Sequence, residues 1–414
     1  MKGSYKRTIY SCFIGYVVQA VVVNFLPLLF VTLEKDYGIT VSQISLLITV
    51  NFVIQLSVDL LSAAVIDRIG YRVAMNIAHI LAATGLVLLA FLPDIMDPFV
   101  GILIPVAVYA MGGGLLEVII SPMVEACPTE NKEKTMSLLH SFYSWGQVGV
   151  VLLSTAFFAV FGVKNWKILV LIWAAVPVGN ILFFASAPVF SLPGQASGEN
   201  KTSDSGGRVG LKALFLNGLF WVMMIMMICA GAAEQAVNQW ASAFAEQGLG
   251  VSKTVGDLAG PMSFAVCMAV SRLYYGKRGD KINFDKFMIT SCIMCVGSYL
   301  IISLSPWPAV SLVGCGLCGF SVGILWPGTY SKAAVAIKGA GTAMFALLAL
   351  GGDFGCSAGP ALAGYVSGLF GGSMKAGIAA AAVFPAVMLA ATLILRAKMK
   401  RPAVTDNAQT ANNG

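Results

Sequence analysis

The chain has 414 residues, 58% of them hydrophobic and only 11% charged, and its mean hydropathy of +0.83 lies far above that of a water-soluble domain. Its net charge of +7 would suit a nucleic-acid binder, but no basic and aromatic patch stands outside the apolar runs, which excludes nucleic acid as a partner. The lipid bilayer is left as the chain's main solvent.

A hydrocarbon core about 30 Å thick calls for about 20 apolar residues per helix. Runs of that length predict twelve membrane helices, near 8–33, 42–66, 73–92, 99–120, 136–161, 167–187, 214–245, 254–275, 286–304, 309–331, 340–369 and 374–396. The runs are continuously apolar, whereas a membrane barrel shows short segments of alternating polarity, so the fold class is all-α integral membrane. Only Lys35, Lys164, Lys167, Lys253 and Lys375 of the 26 Lys and Arg fall in odd-numbered connections. By the positive-inside rule both termini face the cytoplasm, and the protein is expected in the cell's inner membrane. The first apolar stretch is too long for a cleavable signal peptide and lacks a small-residue cleavage site.

Charges inside such helices are informative, because one near the bilayer centre costs at least ~2.5 kcal/mol and needs a partner, a proton or a substrate. Helix one carries Gln19, Asn24 and Pro27 but no acid before Glu34. Helix two carries Asn51, Gln55 and Asp59. Asp59 lies two turns before Asp67, where gating, or pairing with Arg272, competes with a substrate role. In helix four, Gly112, Gly113 and Gly114 precede Glu117 and remove side-chain bulk, so a ligand or another helix could approach that carboxylate. Glu117 thus reads as a proton carrier or solute ligand, with a structural hydrogen-bond role as the alternative. Helix five supplies His140, Tyr143 and Gln147; a lone histidine such as His140 or His79 is more often a satisfied structural residue.

Residues 191–212 form a polar, Gly/Ser-rich linker. It divides an N-terminal six-helix bundle, residues 1–190, from a C-terminal one, residues 213–396, and residues 397–414 form a tail expected to be disordered. In helix seven Glu234 and Asn238 are four apart and share a face, with Gln239 and Trp240 beside them. A carboxylate, amides and an indole on one wall suit a polyhydroxylated ligand; solvated residues near a helix end are the plainer alternative. Cys292-x-x-Cys295 with Cys315-x-x-Cys318 matches a zinc spacing, and Gly314 to Gly319 a dinucleotide pattern. Both lie inside apolar helices with no preceding strand, so they read as small residues at helix contacts, and neither metal nor cofactor is expected. Gly351, Gly355 and Gly359 read as a similar packing seam around Asp353, the acid of helix eleven.

The halves echo each other: the charged turn 67–72 matches Gly276–Lys281, and Gly146-Gln147-Val148-Gly149 matches Gly352-Asp353-Phe354-Gly355. Such duplication builds transporters around a midplane site. The stretch Ala63-Ala64-Val65-Ile66-Asp67-Arg68-Ile69-Gly70-Tyr71-Arg72 resembles the loop 2–3 signature of the major facilitator superfamily, with Ala63 where Gly is usual. That resemblance implies a gating role for Asp67, Arg68, Gly70 and Arg72. Gly112 to Glu117 with Ser121-Pro122, Leu139 to Tyr143 with Gly146, and Gly323-Ile324-Leu325-Trp326-Pro327 resemble the fucose permease-like sugar transporter branch. Ser121 stands where that branch has Asn.

The resemblance implies that helices one, four, seven and ten line a cavity, which puts Asn24, Glu117, Glu234, Asn238 and Trp326 foremost. Fucose permease-like symporters also carry an Asp in helix one, which is missing here, so proton coupling would rest on Glu117, and a uniporter is a live option. The expected function is secondary transport of a small polar solute, a monosaccharide, by a monomer in the lipid bilayer with protons as the coupling ion. A carrier of a nucleoside, organic anion or drug is the alternative. A membrane receptor or intramembrane enzyme is remote: no HExxH or ATP-binding GxxxxGK[ST] occurs.

Overall fold

The structure is a computed structural model that describes residues 5–129, 132–190, 214–278, 283–337 and 341–400. The described residues are helical with no strand, in twelve spans. In the first half these are α1 (Tyr5–Tyr37), α2 (Val41–Ile69), α3 (Tyr71–Ile95), α4 (Pro98–Glu125), α5 (Lys132–Phe161) and α6 (Trp166–Phe184). In the second they are α7 (Gly218–Gly248), α8 (Lys253–Tyr275), α9 (Phe284–Leu304), α10 (Pro308–Ala333), α11 (Gly341–Leu369) and α12 (Met374–Lys398). Among the described residues, eleven spans are long and apolar enough to cross a membrane. The twelfth, α11, has the length, with Gly351, Gly352, Asp353 and Pro360 interrupting its apolar run. The protein is a multi-pass membrane protein.

Polar caps set several helix starts. Thr40 and Gln43 form a reciprocal capping box at α2, Asp97 accepts from the Val100 amide at α4, and Asn217 and Asn283 cap α7 and α9. Helix α1 runs on past the apolar residues to Tyr37 because backbone hydrogen bonding continues until Gly38, whose φ of 67° ends it. Inside two spans the backbone breaks. Around Pro27, which lacks an N–H, α1 tightens into a 3₁₀ turn at Leu26–Leu29. Helix α10 is interrupted at Gly323 and Ile324, between its Pro308–Val322 and Leu325–Ala336 pieces.

In the first half α4 packs on α1, α2 and α3, and α1 on α5 and α6; in the second α7 packs on α11 and α12, and α10 on α8 and α9. Lipid gives no hydrophobic drive to these contacts, so close backbone approach at small residues carries them. A Cβ at Gly355 or Gly359 would overlap the Ile228 or Ala232 carbonyl of α7, and one at Gly319 the Phe264 carbonyl of α8. Gly314 likewise sits against Ile302, and Cys292, Cys295, Cys315 and Cys318 are all buried around the α9–α10 contact. The three glycines before Glu117 face three ways: Gly112 against Ala78 and Ala82 of α3, Gly113 against Gln19 of α1, and Gly114 against the Gln55 backbone of α2. Helices, and one amide side chain, occupy the space those glycines free.

At the turn between α2 and α3, Gly70 has φ 80°, which only glycine adopts readily. Arg72 donates to the Ala185 and Ala187 carbonyls at 3.1 and 2.5 Å and lies over the Phe184 ring, which ties α3 to the end of α6. The side chains of Asp67 and Arg68 lie outside the described residues, as do residues 191–212 of the linker, Gly279 to Lys281 of the echoing turn, and the tail from 401.

Candidate solute-binding cavity

A cavity of about 720 Å³ lies between the halves, a volume in the range that small-molecule sites occupy. From the first half it is lined by Tyr16 and Gln19 of α1, Gln55 and Asp59 of α2, Glu117 and Ser121 of α4, and Tyr143, Ser144 and Trp145 of α5. From the second come Glu234 and Gln235 of α7, Arg272 of α8, Trp326 and Tyr330 of α10, and Asp353 of α11. These positions run from mid-span toward the face that bears both chain ends.

Hydrogen bonds across the halves concentrate toward the opposite face. At the cavity floor Asn238 donates to Asn24 at 3.1 Å and accepts from Gln147 at 2.8 Å, while Gln239 donates to the Val23 carbonyl. Farther out, Asp257 of α8 is fully buried. It accepts from Ser242 of α7 and from Thr155 of α5 and pairs with Lys253 at 3.2 Å, while Lys253 also donates to the Leu28 carbonyl of α1. Ser45 donates to the Ala361 carbonyl, and a Cβ at Gly364 would overlap Ser45. At the rim Lys35 pairs with Glu246 and Gln247 donates to Glu34. Among the described residues the arrangement is open on the face of the termini and shut on the other.

Two polar clusters face each other across the cavity. On the first-half side Gln19 donates to Gln55 at 2.9 Å and to Glu117 at 3.2 Å, and the Tyr16 and Ser121 hydroxyls are 3.1 Å apart. Gln19 thus stands beside Glu117 on a helix that carries no acid before Glu34. On the second-half side Arg272 meets Glu234 at 3.5 Å and donates to Ser144 and to the Gly323 carbonyl, each at 3.3 Å. The break in α10 frees that carbonyl from the helical ladder, a use of irregular backbone seen where a membrane protein lines a cavity. Arg272 therefore pairs with Glu234 rather than Asp59.

Of the residues singled out in the sequence, Gln55, Glu117, Tyr143, Glu234, Trp326 and Asp353 line the cavity. Asn24, Gln147, Asn238 and Gln239 form the hydrogen-bonded floor beneath it. Asn51 is buried one turn from Gln55, on the same face of α2. Trp240 lies in the shut face, donating to the Pro360 carbonyl at 3.0 Å with its ring 5.3 Å from that of Phe30. The His140 side chain lies outside the described residues. His79 is buried between the Met75 carbonyl and Asn180, away from the cavity.

The family-model comparison decides what this architecture is: the Major Facilitator Superfamily model matches residues 12–356. The chain belongs to the major facilitator superfamily. Among solved structures, a D-xylose-proton symporter matches at 13% identity with a TM-score of 0.74, covering 95% of this chain and 97% of that one. The nucleoside transporter NupG matches at 14% with a TM-score of 0.74, covering 94% and 99%. The Escherichia coli fucose:proton symporter FucP matches at 16% with a TM-score of 0.62, covering 95% and 99%. At these identities the likeness shows the fold alone. Among curated protein sequences none matches the chain. As a member of this superfamily the protein is a transporter.

Asp257, Gln235, Ser144 and Tyr16 escaped the sequence reading. Asp257 sits four residues after Lys253 at a span's edge, where charged residues are ordinarily solvated. Only the π-type widening of the helix at Leu258–Met262 around Pro261, and the packing of α5 and α7 over it, make that position interior. The four-residue spacing of Lys253 and Asp257 was the one signal available.

Proposed function

We propose that this superfamily member is a secondary active transporter. It carries a small polar solute of monosaccharide size across the cytoplasmic membrane by alternating access, with protons coupled through Glu117. The observation that carries the reading is the cavity between the halves, walled by amides, carboxylates and aromatic rings, open on one face and shut on the other. Amide and carboxylate groups bond hydroxyls, and the Trp326 and Tyr143 rings offer flat apolar faces to a sugar's C–H surface. The Lys and Arg distribution supports cytoplasmic termini; a reporter enzyme fused to the C-terminus that works only outside the cell would overturn that orientation.

Proteoliposomes holding the purified chain should show counterflow for at least one of a panel of hexoses, and absence of counterflow across the panel sinks the sugar reading. Glu117→Gln should keep counterflow and lose accumulation driven by a pH gradient, since exchange needs no net proton movement whereas accumulation does. Accumulation that survives the substitution removes Glu117 from the proton path. The second reading is a uniporter, favoured by Gln19 standing beside Glu117 in an α1 that carries no acid before Glu34; it predicts that wild type itself never accumulates solute against a gradient.

A further inference from the structure

We propose that the solute carries a positive charge, an ammonium group held by Asp353 against the rings of Trp326 and Tyr330. The inference rests on the transport reading of this cavity and narrows its substrate class. Among the described residues that line the cavity four are acids, Asp59, Glu117, Glu234 and Asp353, and one is a base, Arg272. That base is engaged by Glu234, Ser144 and the Gly323 carbonyl. Glu117 and Asp353 remain on the wall beside that pair. Among the described residues Asp353 has no hydrogen-bond or ion-pair partner, yet it faces the cavity.

The surroundings of Asp353 select among the groups that could answer this charge. Its neighbour Gly352 lies directly under the Trp326 indole, where an added Cβ would overlap the six-membered ring. Tyr330 stands edge-on to Trp326 with ring centroids 6.4 Å apart. A carboxylate beside two aromatic rings is the chemistry that recognises an ammonium, by charge and by attraction to the ring faces. A proton would neutralise Asp353 without using those rings, and a neutral hydroxyl would leave its charge uncompensated.

An independent observation points to the rest of the ligand. Gln19 and Gln55, 3% and 4% exposed, line the same cavity. A side-chain amide both gives and takes hydrogen bonds, as a hydroxyl does. The ligand class is thus a hydroxylated amine, its ammonium toward α11 and its hydroxyls toward α1 and α2.

The test pairs each neutral hexose with its 2-amino-2-deoxy counterpart. Binding to the purified full chain is read by tryptophan fluorescence at about pH 6, where an aliphatic α-amine is protonated. The amine should bind about tenfold tighter or more, and Asp353→Asn should bring the two members of a pair to within about threefold. Equal or weaker binding of every amine overturns the proposal, and so does a preference that persists in Asp353→Asn. Counterflow should show the same ranking: exchange of neutral hexoses with no gain from the amine sinks the charge assignment and leaves the transport reading standing. Exchange of no solute in any pair sinks both. Asp353→Asn replaces a half-buried, cavity-facing carboxylate and should not impair folding, and an unchanged melting temperature verifies that.

Discussion

Asp257→Ala is expected to speed, by a hundredfold or more, the reaction of a cysteine placed at Ser45 with a membrane-impermeant thiol reagent added on the shut face. Asp257 and Lys253 sit where α5, α7, α8 and the end of α1 meet, with 0% and 15% of their side chains exposed. Removing one partner of a buried pair leaves the other charge uncompensated, at a cost of about 3–5 kcal/mol. That cost falls on the closed arrangement, because opening this face hydrates Lys253. An equilibrium moved by about 3–5 kcal/mol changes the open population by about two to four orders of magnitude while the closed state predominates. Ser45 reports on the motion because it is 6% exposed and donates to the Ala361 carbonyl across the halves.

Asp257→Asn, which can still accept from Ser242 and Thr155, should give a smaller increase. The native cysteines do not obscure the signal: Cys267 is the one that is not buried, and the chain without the Ser45→Cys change sets the background. Equal labelling of the Asp257 variants and the parent would show that the Lys253–Asp257 pair does not hold this face shut.

The second large effect is expected at Arg272. Arg272→Met should weaken solute binding about tenfold to a hundredfold, which corresponds to roughly 1–3 kcal/mol. The lower part of the range for buried pairs applies because Arg272 is a third exposed to the cavity and its contact with Glu234 is 3.5 Å. The double variant Glu234→Gln with Arg272→Met should recover part of the loss, because it removes the stranded carboxylate as well as its partner. A double variant as weak as the two single effects combined would mean that the residues act on solute separately and that their pairing is incidental.

Much of this protein was written in one dimension. The apolar runs set the number and order of spans, since a bilayer demands a fixed length of apolar helix wherever the chain crosses. The rarity of charges within them marked Asp59, Glu117, Glu234 and Asp353, because each must be compensated. Tertiary packing decided what compensates them. Residues from three helices, far apart in the chain, converge at the Glu117–Gln19–Gln55 cluster, and no spacing rule could tell that Arg272 meets Glu234 rather than Asp59. Packing also moved Trp240 from a presumed ligand wall into the shut face and turned Asp257 from a helix-end charge into an interior one. The period of a helix says which residues share its face, but only the neighbours it packs against determine whether that face meets lipid, another helix or the cavity.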